Sequence, residues 1–337
     1  MKGIASKILV LSLVVGLGLS TIVALSAFAP KKKIKIGFLI HDLVSERWKM
    51  DMDNFANKVN ELGGETILKN AYGDPQTQVS QGKMLIDEGI KVIVVVAQDG
   101  KVLAELVDYA NKADAKIIAY DRMIIDCNLH YYISFNSIKV GELMADYALK
   151  LKPRGNYILW NGPSSDNNAL LVRQGVMNKL KKSIDNGEVK VIIEKEIDAW
   201  YVLNSLMSMD EFLSSNTQPI DVVIASSDDL ASGAIDAIKA AKLQMPVVTG
   251  QDATVDACKN IIVGNQSMTV FKSIKKLASE AAILAMKVAK GEKVTTMKSI
   301  NNGSYEVPSI LFDPMVVDKS NMRTTVIAEG QVKQSDL

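Results

Sequence analysis

Short apolar runs rich in β-branched residues alternate, along most of this chain, with stretches whose apolar residues return every three or four positions. The first run is IKIGFLI at 34–40, which reads as a buried parallel strand. HDLVSERWKM follows, polar at first and then helical in pattern. A strand feeding a helix this early opens an α/β sheet, and such sheets meet ligands beyond the carboxyl ends of their strands. Asp42, Glu46, Arg47 and Trp48 fall there, in the expected first loop.

The same alternation continues. Phe55, Val59 and Leu62 share one face of a helix over 55–62, which Gly63-Gly64 ends. A strand is expected at 65–70 and a helix at 74–88, with Asp74 as its cap and Pro75 in its first turn. KVIVVVA (91–97) is the clearest strand; a helix at 102–113 and strands at 116–120 and 131–134 follow. This βαβαβαβ order predicts a parallel sheet covered on both faces.

The pattern then restarts. Helices are expected at 141–151, 169–184, 203–213, 230–241, 253–261 and 274–289. Strands are expected at 156–160, 189–193, 221–225, 247–249 and 268–270. The tail from 294 to 332 carries Pro308 and Pro314 and reads as irregular, crossing between lobes or lining a hinge. No Pro/Gly/Ser-rich spacer separates the halves, and the junction near 133–141 is short. That predicts two close-packed lobes around a cleft, able to hinge.

Residues 8–29 carry no charge, a run longer than the roughly 15 residues of a signal-peptide core and close to the ~20 of a membrane span. Ala27-Phe28-Ala29 resembles a cleavage box, but Pro30 follows it and disfavours the peptidase. Residues 1–30 are therefore expected to be an N-terminal anchor in preference to a cleaved signal. Lys31, Lys32, Lys33 and Lys35 crowd the C-terminal side, so the positive-inside count points to a cytoplasmic domain. The resemblance given below points the other way and is followed here.

Composition excludes more than it suggests. With 39 Lys+Arg against 38 Asp+Glu over 337 residues, nothing draws a phosphate backbone, and nucleic acid is not expected as a partner. Two histidines, His41 and His130, and two cysteines, Cys127 and Cys258, are too sparse for a structural zinc site or a disulfide scaffold. Two buried thiols are expected, with a Cys127–Cys258 bridge as the alternative. No metal or cofactor is expected.

Chemistry gathers at the strand tips. Asp121 and Arg122 end KIIAY, a carboxylate and a guanidinium that accept from and donate to hydroxyls, or else form a plain ion pair. Asp166, Asn167 and Asn168 follow NYILW, and helix capping is the competing role for Asp166 or Asn167. Ser227, Asp228 and Asp229 follow DVVIA, where capping is an equal claim. Gly250-Gln251-Asp252 follows the next strand, and Lys272 precedes a helix. Trp48 and Trp200 stand in loops of opposite lobes, placed to stack on the CH faces of a small sugar; each alone is as readily a core residue. Trp160, at a strand end, reads as core.

Catalysis has little support. Asp121, Asp166 and Asp252 beside Arg47, Arg122 and Lys272 are expected to stay ionised, which suits acceptors and not a general acid. G-x-S-x-G, the P-loop, H-E-x-x-H and the strand-1 G-x-G-x-x-G are all missing. A sugar-responsive regulator of cytoplasmic type needs a DNA-binding headpiece, and residues 1–33 hold no helix-turn-helix pattern.

SERW at 45–48, AYDRMI at 119–124, YYISFNSIKVGE at 131–142, DNNA at 166–169, Trp200, GQDA at 250–253, TVFK at 269–272 and NNGSYEVPS at 301–309 together resemble the class I periplasmic sugar-binding proteins of the ribose/xylose type, the D-xylose-binding members above all. The resemblance spans residues 33–337. It implies two Rossmann-like parallel-sheet lobes joined by a three-crossing hinge (the periplasmic binding protein type I fold). Residues 31–139 and 268–296 are then expected in the N-terminal lobe, and 140–267 and 297–330 in the C-terminal lobe. It implies no enzymatic activity. It also implies that Arg47, Trp48, Asp121, Arg122, Asp166, Asn168, Trp200, Asp252 and Lys272 contact the sugar. Ser227 stands where the xylose binders usually carry Asn, one amide donor fewer. Two downstream partners follow from the resemblance: an ABC transporter permease, or a membrane sensor histidine kinase. The uncut anchor favours the kinase, giving an extracytoplasmic, membrane-tethered D-xylose receptor.

Overall fold

The structure is a computed structural model that describes residues 33–295 and 298–337. Residues 8–29, to which the anchor expectation belongs, lie outside the described residues.

Two sheets carry the fold. The first has the strand order β11-β12-β5-β4-β3-β1-β2. Its members are β1 (Ile34–Ile40), β2 (Gly64–Asn70), β3 (Val92–Val95), β4 (Lys116–Tyr120), β5 (Tyr131–Phe135), β11 (Lys298–Asn301) and β12 (Glu306–Phe312). The second has the order β13-β10-β9-β8-β6-β7. It is built from β6 (Gly155–Asn161), β7 (Val189–Glu196), β8 (Val222–Ala225), β9 (Val247–Gln251), β10 (Met268–Phe271) and β13 (Met315–Val317). Neighbours pair in parallel at β1–β3, β3–β4, β4–β5, β5–β12, β6–β7, β6–β8, β8–β9 and β9–β10. The pairs β11–β12 and β10–β13 are antiparallel. Two all-apolar strands are buried on both faces: VIVV of β3 and VVIA of β8 lie wholly inside. Each large aliphatic side chain so buried contributes about 1.5–3 kcal/mol.

Nine helices among the described residues cover the sheets. They are α1 (Glu46–Glu61), α2 (Pro75–Asp87), α3 (Ala104–Lys112), α4 (Ser137–Leu151), α5 (Asn167–Asp185), α6 (Val202–Ser215), α7 (Asp228–Ala240), α8 (Val255–Val263) and α9 (Ile274–Ala289). Asp74 caps α2 as expected, accepting from the N–H groups of Gln76 and Thr77, with Pro75 in the first turn. Helix α1 starts nine residues before the helix expected at 55–62. Its inner face is Arg47, Trp48, Asp51, Phe55 and Val59. That stripe has helical spacing, but its first turns are charged, so a hydrophobic count does not register them. Arg47 and Trp48 therefore stand on a helix and not in a loop.

The chain crosses between lobes three times. Asn136 links β5 to α4, Lys272-Ser273 links β10 to α9, and Asp313-Pro314 links β12 to β13. Asn136 also caps α4 and donates its N–H to the carbonyl of Phe312, tying the first crossing to the third. The lobe boundaries expected from sequence need correction at the second and third crossings. Residues 268–271 pair with β9 and belong to the second lobe, while α9 packs on α1 of the first. Residues 298–312, expected in the second lobe as an irregular tail, form β11 and β12 and extend the first sheet beside β5. Pro308 hid β12, because proline is rare inside a sheet; here it stands opposite Ser299 of the four-residue edge strand β11.

Cys127 and Cys258 are free and buried, one in each lobe, so the alternative of a bridge is not realised. Burial pushes both thiols up to about 12. Trp160 is a fully buried core residue, as expected, with its indole N–H donating to Ser205 Oγ.

Candidate functional site

All ten anticipated residues line one cleft between the strand tips of the two lobes. Ser45, Asp229 and Gln251 line it as well.

Arg47 is the hub. From the first turn of α1, its guanidinium donates to Asp121 and Asp51 of its own lobe and, at 2.7 Å, to Asp252 of the other. Lys272, on the second crossing, reaches the same Asp252 oxygen at 2.9 Å. A second bridge between lobes joins Arg122 Nε to Asp166 Oδ2 at 2.9 Å. A third is Asn168 Nδ2, which donates to the carbonyl and the carboxylate of Asp121 at 3.0 and 3.1 Å. Asp121 and Asp252 both have positive φ (61° and 104°), a backbone that non-glycine residues seldom adopt. It is kept here by the bonds around them. Asp252 N–H donates to Val270 O, Ala253 N–H to Thr269 Oγ1, and Gln331 Nε2 to the carbonyl of Asp252.

The electrostatics follow from this packing. Burial opposes ionisation of Asp252, but the charges of Lys272 and Arg47 outweigh it and hold the carboxyl below its ordinary range. Asp121 is held low in the same way, burial being overcome by Arg47 and Lys272. Both are acceptors in the physiological range. Asp51 goes the other way: burial pushes it up to about 6 despite Arg47 and the hydrogen bond from Tyr120. Asp229 also rises to about 6, through burial and then repulsion by Asp252.

The tryptophans hold distinct positions. Trp48 is buried, with the Arg47 guanidinium 4.4 Å and the Arg122 guanidinium 5.3 Å from its ring centre, and His41 edge-on at 4.7 Å. Trp200 is half-buried, and its indole N–H donates to Asp166 at 3.2 Å. Its ring lies over Gly162: an added Cβ there falls 2.1 Å from the Trp200 ring, so only glycine leaves the space.

The two readings of the capping residues turn out to be compatible. Asp166 Oδ1 caps α5 through the Asn168 N–H, while Oδ2 serves Arg122 and Trp200. Ser227 caps α7, accepting from the Leu230 N–H, and still lines the cleft. Sequence reasoning missed Asp51 and Gln331, and it named Asp42 and Asp228 at strand tips without the roles they take. Asp51 braces Arg47 at i+4. Asp228, fully buried, accepts from Thr254, Gln266 and Thr269 and so shapes the Asp252 loop. Asp42 accepts at 3.0 Å from Tyr201 across the lobes, and Gln331 grips Asp252 from the tail. Of the two that were missed, Asp51 left a signal, the i,i+4 acid–base spacing with Arg47. Among the described residues, no group of three or more His, Cys, Asp or Glu side chains is placed to hold a metal ion.

Two α/β lobes, three crossings and an acid- and arginine-lined cleft between the strand tips define a two-lobed periplasmic binding protein of type I fold. The chain belongs to the periplasmic binding protein domain family, whose profile matches residues 36–293. It is 42% identical over 306 residues to the D-xylose-binding periplasmic protein of Haemophilus influenzae, covering 90% of this chain and 92% of that one. It is 41% identical over 310 residues to the D-xylose-binding periplasmic protein of Escherichia coli K12, covering 92% and 94%. Among solved structures it resembles an ABC transporter solute-binding protein from Clostridium phytofermentans with bound β-D-glucose (TM-score 0.85, 30% identity, 90% of this chain and 99% of that one). These relatives are all named as binding proteins. Their periplasmic designation overturns the expected membrane-anchored localisation. Among the described residues no helix is long and apolar enough to cross a membrane.

Proposed function

We propose that this chain binds D-xylose in the cleft between its lobes and serves as the substrate-binding component of an ABC-type sugar transporter. The observation that carries this reading is the ring of hydrogen-bonding charge supplied by both lobes, with Arg47, Asp121 and Arg122 on one side and Asp166, Asn168 and Asp252 on the other. Identity of 42% to a protein named for D-xylose supports the choice of sugar.

In this reading the pyranose ring lies between Trp48 and Trp200, which cover its CH faces. Asp121, Asp166 and Asp252 accept from its hydroxyls; Arg47, Arg122, Asn168 and Lys272 donate. Ser227, whose Oγ accepts from the Leu230 N–H to cap α7, offers a shorter reach than an amide, so the hydroxyl at that corner is held less tightly. Sugar hydroxyls that exchange with pairs spanning the lobes make closure depend on occupancy.

Calorimetry with xylose, ribose and glucose is the test, with solution scattering in parallel. Tight xylose binding, a smaller radius on binding, and loss of both in the Trp200→Ala/Asp252→Ala variant are expected. Full-strength binding by that variant, or equal dimensions with and without sugar, overturns the proposal. Co-purification from membranes tests the partner. An ABC permease is expected; a sensor histidine kinase, the reading the anchor favoured, is the opposing outcome.

A further inference from the structure

Asp42 and Tyr201 do not line the cleft assigned to the sugar. They line an adjoining chamber, which shares Trp48, Arg122, Asp166 and Trp200 with that cleft, together with His41 and Gln98. Asp42 belongs to the loop after β1 in the first lobe, and Tyr201 immediately follows Trp200 at the start of α6 in the second. The Tyr201 hydroxyl donates to Asp42 Oδ2 at 3.0 Å, and the other Asp42 oxygen accepts from the Val44 N–H at 3.0 Å. Asp42 is thus pinned by its own loop, and Tyr201 is the group that travels with the opposite lobe.

We propose that the Tyr201–Asp42 pair is a closure latch, which holds Trp200 over the site and sets the residence time of the sugar without touching it. The inference rests on the binding function proposed above. The pair joins the two lobes, so it exists only when they are together, and its free energy enters the closed state alone. Trp200 is one peptide bond from Tyr201 and is held at its other end by Asp166. Fixing Tyr201 to the first lobe therefore fixes the ring at both ends. Burial, followed by the neighbouring Asp42 charge, raises the Tyr201 phenol above its ordinary range, so it remains a donor. A latch of this kind acts on escape and not on encounter, because the bond forms after the sugar has entered. It also leaves discrimination between sugars alone, since neither side chain lines the sugar cleft.

Stopped-flow fluorescence and calorimetry on Tyr201→Phe, Asp42→Asn and the double variant test this. Phe keeps the ring and removes only the donor. Asn keeps the acceptor for Val44 and replaces the charged acceptor facing Tyr201 with a neutral amide N–H donor, so the charge-assisted bond is lost. The dissociation rate of xylose should rise about tenfold in each single variant, the equivalent of one hydrogen bond to a charged group. It should rise no further in the double variant, as one shared bond requires. The association rate and the xylose-to-ribose affinity ratio should hold within twofold. Unchanged dissociation in Tyr201→Phe, additive effects, or a changed sugar ratio overturns the latch while leaving the binding function in place. Failure of the wild-type protein to bind xylose removes the binding function, and the latch falls with it.

Discussion

Arg47 Nη1 lies 2.7 Å from Asp252 Oδ1, so the first turn of a helix in one lobe is held to a strand tip of the other. Lys272 shares that acceptor from the second crossing. One carboxylate thus gathers a cation from the first lobe and a cation from the hinge. Removing one partner of a buried pair costs more than the pair contributes, because the remaining charge stays buried.

Asp252→Ala is expected to weaken xylose binding at least about thirtyfold and to lower stability by roughly 1–3 kcal/mol. Lys272→Met in the same chain should restore part of the stability, by removing one orphaned cation, and none of the binding. Thermal melts and calorimetry on the single and double variants check both. Additive losses in stability would contradict the shared-acceptor geometry.

Stability should depend on pH through Asp51. Its folded pKa of about 6 is above the unfolded carboxylate value near 3.9, so between these values the folded state binds more protons. Stability therefore falls as pH rises from about 4 to about 6, by something on the order of 3 kcal/mol for this group. Asp121 and Asp252, held low, contribute in the opposite sense: their stabilisation is present above the unfolded value and is lost as pH falls through their depressed folded values. Melting temperatures at pH 4.5 and pH 7 should differ in the wild type and differ less in Asp51→Asn.

Gly162→Ala should act on binding through Trp200. The new methyl occupies the space of the indole, whose far edge lies 2.1 Å from the ideal Cβ position. Displacing the ring is expected to weaken xylose binding about tenfold or more, with a stability cost of about 1–3 kcal/mol from overpacking. A shift in tryptophan emission accompanying the loss of affinity reports the moved ring; unchanged affinity would place Trp200 away from the sugar.

Gln331→Ala should weaken binding from outside the cleft. Its amide donates to the Asp252 carbonyl at 2.8 Å and accepts from the Ile274 N–H at 3.3 Å, bracing the strained Asp252 backbone against the second crossing. Loss of that brace should raise the xylose dissociation constant about three- to tenfold, read by calorimetry. Stability should fall by about 1 kcal/mol.

Much of the fold is written locally. The β-branched runs of β3 and β8 read as strands buried on both faces, and the strand-tip acids Asp121, Asp166 and Asp252 follow from where the neighbouring runs of β4, β6 and β9 end. Lobe membership was not legible in the same way. Met268–Phe271 and Glu306–Phe312 look alike in isolation, and the sheet each joins depends on partners over a hundred residues away for β12, and on the path of the chain through the hinge.

What the sequence by itself determined is the alternation of strand and helix, the polar strand tips and the two opposed tryptophans, because propensity, periodicity and turn chemistry act over a few residues. Only the tertiary structure decided that Arg47 stands on a helix among three carboxylates, that Asp51 and Asp228 are buried, and that Tyr201 meets Asp42. Charged residues carry no apolar periodicity, and their burial is offset by partners brought together only in the fold: Asp121 and Asp252 around Arg47, and Thr254, Gln266 and Thr269 around Asp228.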